Sequence, residues 1–138
     1  MVAMIRPCFL VVDRETSSSI STRKLVIETA KFNVITAYSS NEAIQTLIKF
    51  PAIDGIVADS GMTDMPCSEL IDALKQIRSD IPIVIICTPR GTSCDRADHI
   101  LESFNPKALL GLLQSLHPEA TAQIEKQNED LEEGYFKR

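Results

Sequence analysis

The most apolar stretch of the chain is Ile-Pro-Ile-Val-Ile-Ile-Cys, residues 81–87. An unbroken apolar run of this length is typical of a strand that is covered on both faces of a parallel sheet. Pro82 lies near its start, where a missing N–H group is tolerated. Four further short runs predict strands over residues 8–12, 33–37, 53–58 and 99–103.

Stretches with apolar residues at helical spacing separate these strands. Ser39 and Glu42 form a capping-box pattern, and Asn105-Pro106 is a typical helix start. Residues 90–98 are polar and indicate only a weak helix. The alternation of strands and helices predicts an α/β fold of three layers, flavodoxin-like and doubly wound. We expect a five-stranded parallel sheet with the strand order 2-1-3-4-5.

The length of 138 residues suits one domain. We place the domain at residues 1–117 and an acidic tail at residues 118–138. Residues 119–138 contain six acidic and three basic residues and few apolar ones. This composition predicts a solvated helical tail or a linker. A coiled coil has only about two heptads available.

The composition argues against several classes of function. The net charge is −5 and aromatic residues make up 5%, which disfavours direct binding of nucleic acid. No apolar run approaches the about 20 residues that cross a bilayer, so no membrane association is expected. The cysteines form no C-x-x-C pair, and we interpret all of them as free thiols in a reducing cytoplasm. They are Cys8, Cys67, Cys87 and Cys94.

Acidic and hydroxyl side chains follow three of the predicted strands. Asp13 follows the first, Asp59 the third and Thr88 the fourth. Taken singly, each Asp could equally cap the next helix. In the predicted order, however, the first and third strands are neighbours, and their carboxyl ends share one edge. Two carboxylates that meet there repel each other unless a cation or a proton intervenes. The pattern therefore favours a Mg²⁺ site or a carboxylate nucleophile.

Three blocks resemble the signature blocks of the receiver domains of two-component response regulators. They are residues 9–15 (FLVVDRE), 56–62 (IVADSGM) and 85–88 (IICT), in the order and at the spacing of that family. The resemblance covers roughly residues 6–116.

The resemblance implies a bacterial cytoplasmic phosphoprotein. Asp59 would accept a phosphoryl group from a sensor histidine kinase or a phosphotransfer protein. Asp13 and Asp59 would hold Mg²⁺, and Thr88 would be the switch hydroxyl. Output would go to a downstream protein partner, with a homodimer as a further candidate assembly.

The chain departs from the family pattern at charged positions. Arg14 stands where the family has a second acidic residue, which implies weak or absent Mg²⁺ binding. Ser103 falls at the position of the family's lysine, and Ile100 at that of the switch aromatic residue. Arg14 and Arg90 are the candidates for a substitute cation.

These departures leave two functions open. The first is a receiver that is phosphorylated on Asp59 and signals by a conformational change. It would be no enzyme beyond self-catalysed phosphoryl transfer and autodephosphorylation. The second is a degenerate pseudo-receiver that binds protein partners without phosphate.

Two rival classes match less well. Residues 13–16 loosely match the nucleophile motif of haloacid-dehalogenase-type phosphatases, but the later lysine and paired acids of that family are not evident. Residues 16–22 are rich in hydroxyl groups, as are flavodoxin phosphate loops, yet they contain no glycine. Helix capping explains those serines more simply.

Overall fold

The structure, a computed structural model, describes residues 6–14, 22–87, 94 and 96–136, and in the last helix the side chains of 118–127 and 129. Its strands are β1 (Cys8–Val12), β2 (Asn33–Ala37), β3 (Gly55–Asp59), β4 (Ile83–Ile86) and β5 (His99–Leu101). Its helices are α1 (Thr22–Thr29), α2 (Ser40–Lys49), α3 (Cys67–Ile77), α4 (Pro106–Leu116) and α5 (Pro118–Phe136).

The strands form one parallel sheet in the order β2-β1-β3-β4-β5. This confirms the predicted fold class and strand order. β3 lies at the centre and is buried along its whole length, as its apolar sequence predicts. It extends one residue beyond the predicted strand and includes Asp59. β5 ends at Leu101, two residues before Ser103.

Helices cover both faces of the sheet. Alternate residues of β1 point to opposite faces, as the pleat of a strand requires. Phe9 and Val11 belong to the apolar cluster of α1 and α4, and Leu10 and Val12 to that of α2 and α3. Ile124 of α5 is only 5% exposed and joins the first cluster. The predicted tail therefore contacts the domain through Ile124.

Both predicted helix caps are present. The Ser39 side chain accepts a hydrogen bond from the Glu42 amide at 3.0 Å and caps α2. The Asn105 side chain accepts one from the Ala108 amide at 3.1 Å, directly before Pro106. Among the described helices, none is long and apolar enough to cross a membrane.

The prediction of four free thiols is wrong for two of the cysteines. Cys67, at the start of α3, forms a disulfide with Cys94 in the connection between β4 and β5. Their Cα atoms are 5.7 Å apart, although 27 positions separate them in the sequence. The sequence spacing did not reveal the pair because only the fold brings α3 beside this connection. Cys8 and Cys87 are free and half-buried. The pKa of Cys8 is raised, mainly because the thiol is partly buried and also because the Asp54 carboxylate lies nearby.

Candidate functional site

Two carboxylates lie side by side at the carboxyl edge of the sheet. Asp13 directly follows β1, and its amide donates to the carbonyl of Ala37 at 2.9 Å, which continues the ladder with β2. Asp59 is the last residue of β3. The neighbouring pair Val12 and Ala58 is in register, so the next residue of each strand reaches the same edge. Asp13 is 1% exposed and Asp59 is 4% exposed.

An arginine lies between these two carboxylates. Arg23 is the second residue of α1, and its Nη1 atom is 3.1 Å from Oδ1 of Asp13. Its Nη2 atom is 3.3 Å from Oδ2 of Asp59. The Arg23 side chain is only 10% exposed, so both ion pairs are shielded from water. One guanidinium thus bridges the two acidic groups that the sequence placed at this edge.

An aromatic ring completes the enclosure of Arg23. The guanidinium carbon lies 5.4 Å from the centre of the Phe104 ring, in the segment between β5 and α4. This is a cation–π arrangement, which desolvation strengthens. The buried Nε atom of Arg23 has no hydrogen-bond partner within the described part of the chain. The arginine is therefore held by two carboxylates and one ring, which tie α1 to both central strands and to the segment after β5.

The loop after Asp59 is fixed at two points. Oδ1 of Asp59 accepts a hydrogen bond from the Gly61 amide at 2.6 Å, while Oδ2 faces Arg23. Further on, the Asp64 carboxylate accepts bonds from the amides of Ser40 and Asn41 at the start of α2. Partial burial acts to raise the pKa of Asp64, but these amide bonds hold it below its usual range. Both oxygens of Asp59 thus have protein partners in this structure.

Sequence reasoning missed Arg23. Arg14 and Arg90 were the predicted substitute cations, but Arg14 is exposed and Arg90 lies outside the described residues. The available signal was the position of Arg23 in the first turn of a helix, where the helix dipole disfavours a positive charge. A cation there, one loop away from Asp13, indicates a carboxylate partner.

The remaining predicted site residues are not brought to Arg23 by any described contact. Ser103 is exposed and lies beyond the end of β5, whereas its neighbour Phe104 faces the guanidinium. Thr88, Glu15 and Thr16 lie outside the described residues, as does most of the weak helix predicted for 90–98. Ile100 is on β5 and 44% exposed.

The arrangement does not fit a Mg²⁺ ion between Asp13 and Asp59. Carboxylate oxygens are suitable ligands for Mg²⁺, but here the guanidinium donates to both groups. A divalent cation would have to displace a buried positive charge and leave it without a carboxylate. Within the described residues, no cluster of three or more acidic, histidine or cysteine side chains could hold a metal ion.

No family model matches this sequence, and no curated protein matches it. In three dimensions the chain is similar to solved receiver domains. The chemotaxis protein CheY4 of Vibrio cholerae is 27% identical with a TM-score of 0.65, over 81% of this chain and 99% of that one. A CheY-like receiver domain protein of Methanospirillum hungatei is 18% identical with a TM-score of 0.70, over 86% and 99%. One from Clostridium thermocellum is 19% identical with a TM-score of 0.65, over 88% and 98%.

These likenesses extend over nearly the whole length of each solved domain. They agree with the five-stranded parallel sheet and its strand order. The chain therefore has the fold of response-regulator receiver domains, with an arginine between its two strand-end carboxylates.

Proposed function

We propose that this domain is a pseudo-receiver of two-component signalling. It docks to protein partners of such a pathway without Mg²⁺-dependent phosphorylation of Asp59. The observation that carries the proposal is the Arg23 guanidinium between Asp13 and Asp59. The proposal assigns the domain no catalytic activity.

Electrostatics supports this reading. Phosphoryl transfer to a carboxylate needs positive charge on the three equatorial oxygens of the transferred group. The positive charge here is already shared by two buried carboxylates on one side of the guanidinium. The Phe104 ring lies on another side. An incoming phosphoryl group must therefore compete with Asp13 for Arg23 and with Arg23 for Asp59.

The second candidate is a receiver that is phosphorylated on Asp59. One observation favours it, since Asp59 ends the central strand next to a guanidinium, and a guanidinium is a good ligand for phosphate oxygens. In this version Arg23 would turn from the carboxylate to the phosphoryl group. The donor would be a histidine kinase or a phosphotransfer protein.

Intact mass after incubation with acetyl phosphate and Mg²⁺ separates the two candidates. For the pseudo-receiver, the wild type gains no phosphoryl adduct of about 80 Da. Arg23→Met, which removes the guanidinium from both carboxylates, gains the adduct, and Arg23→Met with Asp59→Asn loses it again. Lys24→Met is the matched control, because it removes a positive charge from the next, half-exposed position of the same helix. An adduct on the wild type that disappears in Asp59→Asn would overturn the proposal and establish the second candidate.

A further inference from the structure

The described residues of the connection between β4 and β5, 94 and 96–98, contact α3 at three positions. Cys94 is bonded to Cys67 in the first turn of the helix. Arg96 forms an ion pair with Asp72, which lies more than one helical turn after Cys67 in α3. Asp98 accepts hydrogen bonds from Lys75 and from the Ile83 amide, both at 2.8 Å. We call residues 94 and 96–98 the strap.

The three fastenings differ in strength. The Arg96 and Asp72 side chains are 62% and 49% exposed, and such surface pairs contribute little to stability. The Lys75–Asp98 pair is less exposed, and the Asp98 carboxylate also accepts a hydrogen bond from the Ile83 amide of β4. The disulfide is the one covalent fastening among the described residues of the strap. It lies in the apolar cluster of α2 and α3, with Met62 and Met65 of the loop after Asp59 packed against that cluster.

We propose that Cys67 and Cys94 form a reversible dithiol–disulfide switch that fastens or releases the strap, with a low-molecular-weight thiol–disulfide couple as its reactant. The inference goes beyond the proposed function and does not depend on the state of Arg23. It places a redox input at the end of the loop that follows Asp59, where α3 begins with Cys67.

The reaction balances without a metal or a further cofactor. A low-molecular-weight disulfide accepts a thiolate of one cysteine, forms a mixed disulfide and releases its first thiol. The second cysteine then attacks the mixed disulfide and releases the second thiol. Two protein thiols are oxidised by two electrons, the reagent is reduced by two electrons, and the two protons go to the released thiols. The reverse sequence reopens the strap.

The burial of Cys67 and Cys94 limits the access of the thiol–disulfide couple to these two cysteines. Cys67 is 3% exposed and Cys94 is 4% exposed. An attacking thiolate therefore gains access when the strap opens locally around Cys94, which the exposed Arg96–Asp72 pair resists only weakly. Cys8 and Cys87 are the free cysteines of the described chain, and both are half-buried. A Cys8→Ser, Cys87→Ser background removes them as competing partners.

The test uses the full chain in that background, equilibrated with glutathione buffers of graded oxidised-to-reduced ratio. Acid quenching, alkylation and intact mass give the fraction with the disulfide. We expect this fraction to rise and fall reversibly with the ratio, with the circular dichroism of a folded domain throughout. Limited trypsin digestion then reports the strap. Cleavage after Arg96, measured against cleavage after Lys126 in α5, is expected to be at least about tenfold faster in the reduced form.

Cys67→Ser is expected to show the fast cleavage in every buffer, and the reduced parent protein provides the same readout should that variant fail to fold. Any one of three results would overturn the proposal. The first is a disulfide that persists at every glutathione ratio, which would make it a static crosslink. The second is a disulfide that never forms, and the third is cleavage after Arg96 at the same relative rate in the reduced and oxidised proteins.

Discussion

Replacing Arg23 by methionine is the sharpest test of the site. Methionine keeps most of the length of the side chain and an apolar group near the Phe104 ring, but it removes the guanidinium from two buried carboxylates. The Nη1 atom of Arg23 lies 3.1 Å from the Asp13 carboxylate. At an effective dielectric constant of about 20, two unit charges at that distance attract each other by about 5 kcal/mol.

Most of that attraction is offset by the cost of taking the charges out of water. Removal of one partner from a buried ion pair destabilises a protein by about 3–5 kcal/mol, because the charge left behind is uncompensated. We therefore expect Arg23→Met to lower the free energy of unfolding by about 4 kcal/mol at neutral pH. For a domain of this size the midpoint of thermal unfolding falls by roughly 10–15 °C.

Urea denaturation followed by circular dichroism measures the effect. The matched control Lys24→Met loses an exposed pair with Glu28, and such a pair contributes about 0.3–0.5 kcal/mol. Mg²⁺ provides the second arm. At one hundred times its dissociation constant, it should restore about 2.7 kcal/mol to Arg23→Met and leave the wild type unchanged. A loss of stability no larger than that of Lys24→Met would refute the proposal that Arg23 serves as the cation between Asp13 and Asp59. Equal stabilisation of the wild type and Arg23→Met by Mg²⁺ would refute it as well.

Four further predictions concern the rest of the fold. Gly55→Ala should lower the free energy of unfolding by about 1–3 kcal/mol, because the new Cβ atom would lie 2.6 Å from the buried ring of Phe9. Gly111→Ala should stabilise α4 by about 0.5–1 kcal/mol, because its Cβ atom would meet nothing within 4 Å. Urea midpoints measure both effects. Burial acts to raise the pKa of Asp98, but hydrogen bonds from Lys75 and a strand amide lower it below its usual value. The contribution of the Asp98 carboxylate to folding stability is therefore present above about pH 4 and is lost as the pH falls through the lowered pKa. The free energies of unfolding of wild type and Asp98→Asn should differ at pH 7 and converge in acid. Reduction of the disulfide, which spans 27 positions, should lower the free energy of unfolding by about 3.5 kcal/mol on the chain-entropy model; an unchanged urea midpoint would contradict this.

The sheet could be predicted from the sequence because its signals are local. Each strand is a short apolar run, and each helix that was predicted with a cap has the expected side chain at the expected position. The edge where Asp13 and Asp59 meet also followed from the sequence, since strand order and parallel pairing determine which strand ends are neighbours. The end of β5 was less certain because only three residues pair with β4, and Ser103 falls outside them.

The content of the site depends on contacts between distant elements, and these leave little trace in a single sequence. Arg23 is ten positions from Asp13 and thirty-six from Asp59, and only the packing of α1 over the end of the sheet brings it to both. The disulfide is a similar case. Cys94 reaches Cys67 because the strap lies along α3, and nothing in the spacing of the two cysteines indicates that path.

A cation supplied by the chain changes what the pocket can respond to. A ligand shifts the equilibrium between two states only by the difference in its affinity for them. Any ion or phosphoryl group that enters between Asp13 and Asp59 must first separate Arg23 from at least one carboxylate. If that separation costs about 3 kcal/mol, it reduces the affinity of the competitor by a factor of about 150.

On the proposed function, the contact of Arg23 with both carboxylates stabilises the fold and also prevents a response to phosphorylation of Asp59. Control of this domain then has to act where the chain is less firmly held. Among the described residues, the strap meets that condition on the proposal above, since its Arg96–Asp72 pair is exposed and its covalent contact is the disulfide that we propose a thiol couple opens. A domain with a neutralised pocket and a redox-sensitive strap would keep the receiver fold as a docking scaffold while taking its input at the edge of α3.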